Sequence, residues 1–214
     1  MKSIELYNAQ TDLLPAWLLD ERQRMADTWH NQPPEIKARY GTCSTPRDNA
    51  RTRPIMLFPS YRMLWVYDPP VHEKVVSMFD MFAGSMPHLP GDEEFFEEDG
   101  EFFEQFNSAG LRFGEVCYGY YLMTHPERQN EGCATTLICE AIGLAALWGF
   151  DSFVVDLAIN PPLERAVRLF ERQGFRPTAH LVHDEMGNEW RQYLLPLGGR
   201  EVDLGDYGFV IGVK

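Results

Sequence analysis

Residues 116–159 constrain the fold more than any other stretch of this chain. Val116 to Thr124 (VCYGYYLMT) is rich in β-branched and aromatic residues and reads as a strand. A polar loop runs from His125 to Glu131. Gly132 to Gly149 (GCATTLICEAIGLAALWG) is almost wholly apolar with a single acid, Glu140, and reads as a helix covered on most sides. Ser152 to Ile159 (SFVVDLAI) reads as a second strand. Strands joined through a helix cannot form a hairpin. They predict a parallel pair with a right-handed crossover.

The neighbouring segments extend this unit. Pro161 to Gln173 reads as a second helix with its prolines in the first turn, where a missing N–H costs nothing, and Gly174 closes it. Thr178 to His183 and Trp190 to Leu195 predict a hairpin around Asp184-Glu-Met-Gly-Asn188. The order is therefore β-α-β-α-β-β. Upstream, Ile4 to Asn8 reads as a short strand and Leu13 to His30 as a helix broken by Asn31-Gln-Pro-Pro34. Residues 41–54 read as a loop. Ile55 to Phe58 and Arg62 to Tyr67 are short β-prone runs, and Asp68-Pro-Pro70 stops the second. Val71 to Phe82 has apolar residues at 71, 75, 76, 78, 79, 81 and 82 and predicts another helix. At 214 residues the chain fits a single domain with a divergent half over 1–110 and an extension over 198–214.

Charge is concentrated. The net charge is −13, and eight acids between Asp92 and Glu104 supply eight of those charges. Phe95, Phe96, Phe102, Phe103 and Phe106 are interleaved with them. The 91–107 segment has three open readings: an amphipathic helix with a solvated acidic face, an acidic wall beside an amine pocket, or a docking segment. An acidic balance argues against nucleic acid as a partner and permits a cationic substrate. No run of 18 uncharged apolar residues occurs, so no membrane span is expected. MKSIELYNAQTD lacks an apolar run behind its lysine, so no secretory leader is expected either. Cys43, Cys117, Cys133 and Cys139 lack paired metal spacing, as do His125, His180 and His183. Buried free thiols and no metal are expected, which suits a cytoplasmic protein. The tail contains Asp206-Tyr-Gly-Phe-Val-Ile211, which could add a strand or reach a neighbour in a homodimer.

The junction of the first strand with its helix carries the chemistry. It reads Gln129-Asn130-Glu131-Gly132-Cys133-Ala134-Thr135. A turn of small residues entering a helix aims unpaired backbone N–H groups, and the positive end of the helix dipole, at one point. A pyrophosphate fits there without any lysine.

These residues match the pattern Gln/Arg-x-x-Gly-x-Gly/Ala, and the segment resembles the GNAT acetyltransferase superfamily. Asn160, Ala166, Leu169, Phe170, Gly174 and Phe175 are similar to that family's second signature, Asn…Ala-x-x-Leu-aromatic…Gly-Phe. The resemblance covers about residues 115–197. It implies an α/β fold of the α+β type, with a mixed, mostly antiparallel central sheet, a parallel β-α-β coenzyme-binding core and flanking helices. It further implies acetyl-CoA as co-substrate and transfer of its acetyl group to a primary amine, either small and cationic or on a protein. Leu122, Met123 and Thr124 would end the strand that meets the pantetheine arm. Gln129 to Thr135 (Gln129, Asn130, Glu131, Gly132, Cys133, Ala134, Thr135) would cradle the pyrophosphate. Asn160 would reach the pantetheine, with a helix N-cap as its alternative role, and Arg165 would meet the adenosine end.

The reaction has two needs of its own. An amine with a pKa near ~10 is about one part in a thousand neutral at pH 7, so a base must take its proton. A donor must also meet the thioester oxygen as it gains charge, and a backbone N–H near Leu122 suits that. Glu115 and Asp156 are candidate bases. The family often has a tyrosine at the position of Phe170, so the proton for the leaving thiolate would come from Tyr118, Tyr120, Tyr121, Tyr193 or water. The rival reading is a catalytically inactive protein of the same fold that docks a partner through its acidic, phenylalanine-rich segment.

Overall fold

The computed structural model describes residues 3–36, 53, 55–68, 72–84, 116–160, 163–183 and 189–198. Glu115, Cys43, the acidic segment 91–107 and the tail beyond Gly198 lie outside the described residues. In chain order the elements are β1 (Ser3–Asn8), α1 (Ala16–His30), β2 (Tyr61–Asp68), β3 (His72–Ala83), β4 (Val116–Thr124), α2 (Cys133–Leu147), β5 (Ser152–Asn160), α3 (Glu164–Arg172), β6 (Arg176–His183) and β7 (Glu189–Pro196). The strands form one sheet in the order β1-β2-β3-β4-β5-β7-β6. Every pairing is antiparallel except β4 with β5, the pair expected to be parallel.

Side chains alternate across a strand, so the sheet divides its apolar residues between two cores. One lies beneath α2 and α3, where Leu64, Phe79, Cys117, Phe153 and Val155 meet Leu137, Ile138, Ala141 and Phe170. The other lies beneath α1, where Tyr7, Met63, Trp65, Met78 and Phe82 meet Leu18, Met25, Ala26 and Trp29. Full burial of one such large side chain is worth about 1.5–3 kcal/mol. The buried positions of α1 (18, 22, 25, 26 and 29) fall on one helical face, and that face includes a charged residue, Arg22.

Three expectations need correction. Val71 to Phe82 is not a helix: His72–Ala83 is a strand paired with both β2 and β4. Its apolar positions 75, 78, 79 and 82 satisfy helical spacing, but all residues from Val75 to Phe82 are buried because the strand is central and covered on both faces. Ile55 to Phe58 is not a strand: Ile55 and Met56 are helical, and a turn leads into β2. The helix expected from Pro161 begins at Glu164 with Leu163 at its N-cap, so the prolines precede the helix. Gly174, with φ of 95°, closes it as expected. Cys117 and Cys133 are buried free thiols and Cys139 is half-buried.

Candidate active site

β4 and β5 are paired only from Val116↔Ser152 to Gly119↔Val155. Beyond that point each keeps its other neighbour: β4 pairs with β3 to Thr124, and β5 pairs with β7 to Asn160. The two strands thus splay apart, and among the described residues the parallel ladder does not continue along Tyr120–Thr124. The divergence starts at a bulge. Asp80 faces Tyr121 and Met81 faces Gly119, which leaves Tyr120 as an extra residue in β4. Gly119 sits at the last paired position for a packing reason. A Cβ there would lie 2.7 Å from Phe79 and 2.8 Å from Val155.

The turn at the open end of β4 is built by backbone conformation. Asn130 (φ 66°) and Gly132 (φ 81°) are both left-handed, which glycine adopts freely and asparagine tolerates. No side chain caps α2, and its first rung is Thr136 N–H to Gly132 O at 3.0 Å. The preceding N–H groups are the ones a helix cannot satisfy itself. Asn130, Glu131 and Gly132 are exposed, and among the described residues no atom beyond its chain neighbours lies within 4 Å of a Cβ built on Gly132. Gly132 is therefore required by its φ, and the space before it is open to a ligand.

The turn is clamped to the strand end. The carbonyl of Thr124 accepts from Gln129 Nε2 and from Trp29 Nε1, both at 2.9 Å. Arg128 donates to both carboxylate oxygens of Glu131 at 2.7 and 2.8 Å, so the acid in the turn is neutralised locally. Ser77 Oγ holds the Met123 carbonyl at 2.8 Å and touches Thr124 Oγ1 at the same distance. Leu122 packs toward the α2 core and Met123 into the α1 core. Cys133 is buried in the first turn of α2, while Ala134 and Thr135 are half-buried.

On the α1 face the splay carries polar groups. Tyr118 Oη donates to Asp156 Oδ2 at 2.7 Å, which brings together two of the sequence candidates. Asp156 is the first β5 residue beyond the parallel pairing, and Gln192 lies opposite it in β7. Under the bulge, Arg22 meets Asp80 Oδ2 through Nε (2.8 Å) and a terminal nitrogen (2.7 Å), and its guanidinium lies 5.4 Å from the Tyr121 ring centroid. Burial opposes the Arg22 charge, but Asp80, together with Tyr61 and Tyr120, outweighs it and holds the guanidinium protonated. Burial pushes the Asp80 carboxyl upward, and Arg22 counters that shift. Sequence reasoning missed this pair and Gln192. The available signal for the pair was a charge on the apolar stripe of α1.

Other candidates lie elsewhere. Phe170 is buried between Phe79 and Phe175, with ring centroids 6.5 and 5.2 Å away, and serves the core. Tyr193 is on the α2–α3 side of the sheet, where burial first, and then Glu171, push its hydroxyl upward, so it keeps its proton. It lines a shallow groove with Val167 and Glu171, away from the turn at the end of β4. Tyr120 packs on Phe82 at 5.4 Å. Asn160 ends β5 opposite Glu189, and Arg165 is exposed in the first turn of α3. Among the described residues no group of His, Cys, Asp or Glu could hold a metal ion, and no helix is long and apolar enough to cross a membrane.

Comparison with known proteins sets this geometry in a family. The profile of the Acetyltransferase (GNAT) family matches residues 84–175. No curated protein is a significant match to the sequence. Among solved structures, the ribosomal-protein-S18-alanine N-acetyltransferase of Escherichia coli superposes with a TM-score of 0.59 at 12% identity, over 95% of this chain and 99% of that one. The spermidine N-acetyltransferase of Vibrio cholerae gives 0.57 at 13% identity, over 92% and 94%. A Salmonella typhimurium structure solved with its cofactor acetyl-CoA gives 0.59 at 14% identity, over 94% and 96%. These likenesses establish a shared fold, and the matched profile identifies residues 84–175 as an acetyltransferase (GNAT) family domain.

Proposed function

We propose that this protein transfers the acetyl group of acetyl-CoA to a primary amine by direct attack in a ternary complex. The observation that carries the reading is the open, uncapped turn from Gln129 to Thr135 at the mouth of the splay between β4 and β5. Its backbone N–H groups suit a pyrophosphate. The stretch of β4 beyond its parallel ladder, Tyr120–Thr124, suits a pantetheine arm, which carries amides of its own. Similar folds occur in proteins named for acetylating a protein alanine and spermidine, which supports an amine acceptor.

Asp156 is the base in this reading. It is half-buried at the point of divergence, and the Tyr118 hydroxyl orients one of its oxygens. Its carboxylate takes a proton from the ammonium group. The amine nitrogen forms a bond to the acetyl carbon and the C–S bond breaks; the second proton, shed by the nitrogen as it becomes an amide, passes through water to the departing sulfur, which leaves as the thiol of coenzyme A. A backbone N–H of the splayed strand near Leu122 meets the carbonyl oxygen as it gains charge. Because Phe170 serves the core, its lack of a hydroxyl does not argue against turnover.

The test has two parts. Acetyl-CoA is expected to raise the melting temperature, and Gly132→Asp is expected to abolish that shift by placing a charge in the cradle on a strained backbone. Asp156→Asn is expected to keep the shift and lower kcat by about 10²–10⁴-fold in a thiol-release assay. An Asn variant with unchanged turnover would remove Asp156 from the mechanism.

A further inference from the structure

Gln192 is a buried polar residue beside the splay. It is only 2% exposed, and its Nε2 is buried without a hydrogen-bond partner among the described residues. A buried donor left unpaired is costly, so a chain retains one where something completes it. Its place suggests what that is. Gln192 is directly opposite Asp156 across the β5–β7 ladder. Their chain neighbours Val155, Leu157 and Tyr193 all belong to the core beneath α2 and α3. By alternation, Asp156 and Gln192 project together from the other face, the one on which Tyr118 packs.

Building on the transferase reading, we propose that Asp156 and Gln192 together select acceptors that carry a carbonyl oxygen beside the amine. These are α-amino acyl groups, as at a peptide N-terminus or in an amino-acid amide. The carboxylate meets the nitrogen and the amide Nε2 donates to the oxygen. Directly opposed residues of an antiparallel pair have Cβ atoms about 4.5–5.5 Å apart. That spacing suits a nitrogen and an oxygen separated by two carbon atoms. A simple alkylamine or a polyamine offers no acceptor atom and leaves Nε2 as costly as before, which is how a buried polar group rejects a near-analogue. Because Nε2 is covered without ligand, the acceptor displaces what lies over it as it enters.

The experiment compares glycinamide, propylamine and putrescine as acceptors for the full chain and for Gln192→Met. This variant keeps the volume and removes the donor, so it should fold at least as stably. The ratio of kcat/KM for glycinamide to that for propylamine is expected to fall about 10- to 100-fold in the variant, while acetyl-CoA affinity is unchanged. Comparing ratios cancels the different basicities of the amines. Gln192→Glu supplies a second test: it should lose glycinamide and gain putrescine, whose second ammonium matches a second carboxylate. An unchanged ratio, a preference of the unaltered protein for putrescine, or a displaced pH profile in place of the altered ratio would overturn the inference. The last result would make Gln192 a positioning residue for Asp156. Failure to bind acetyl-CoA at all would instead sink the transferase reading beneath it.

Discussion

Gly119 shows how one missing side chain shapes the site. It lies at the last rung of the parallel pair, where the Phe79 ring and the Val155 methyl occupy the space a Cβ would need, at 2.7 and 2.8 Å. Both are buried core residues with nowhere to retreat. Gly119→Ala is expected to destabilise the fold by about 1–3 kcal/mol, seen as a lower urea midpoint. Its kcat/KM should fall as well, since any shift of β4 there moves the splay. A midpoint equal to that of the unaltered protein would mean the rung has slack. The pairing of Tyr118 with Asp156 was only half legible beforehand. Both residues stood out as candidates, but they are 38 positions apart, and only the register of β4 against β5 reveals that they bond.

Elements differ in how plainly they are written in the chain. β4, α2 and β5 were readable because strand, turn and helix compositions change sharply at Thr124, Gly132 and Gly149. β3 was not, because a strand buried on both faces loses the alternation that marks one, and its residues then fit helical spacing as well. The acid opposite Arg22 was hidden for the same reason: Asp80 lay on a presumed helix, 58 positions from its partner. This pair fastens α1 to the sheet under the bulge at Tyr120. Arg22→Met leaves a buried carboxylate uncompensated and should cost about 3–5 kcal/mol, whereas adding Asp80→Leu should restore much of the loss. Chemical denaturation of the two variants would decide it, and a double variant no more stable than the single would count against a purely electrostatic penalty.

Within α2, Glu140 is the single acid of an apolar helix and is 7% exposed. Burial pushes its carboxyl upward. A raised carboxyl favours the folded state when protonated, so this contribution is present below the ordinary carboxylate pKa and is lost as pH rises through the folded value. Glu140→Gln mimics the protonated form. It should raise the melting temperature at pH 7, with the gain shrinking toward zero as the pH falls below about 4. A constant gain at every pH would point to packing instead of charge.

At the scale of the whole molecule, a protein with a net charge of −13 is proposed to bind an anionic coenzyme. The cradle resolves this by using backbone N–H groups, whose dipoles are fixed and short-ranged. Arg128, the cation that directly precedes the turn in sequence, already donates to both carboxylate oxygens of Glu131. Long-range repulsion therefore opposes binding, while local dipoles drive it. Salt screens the first over about 10 Å at 0.1 M and leaves the second nearly untouched, because the N–H groups contact the phosphates directly. Raising NaCl from about 0.05 to 0.5 M should accordingly leave the Kd for acetyl-CoA within about twofold or tighten it. Titration calorimetry across that range reads the sign directly. A tenfold weakening would mean that lysine or arginine side chains, and not the turn at Gln129–Thr135, hold the phosphates.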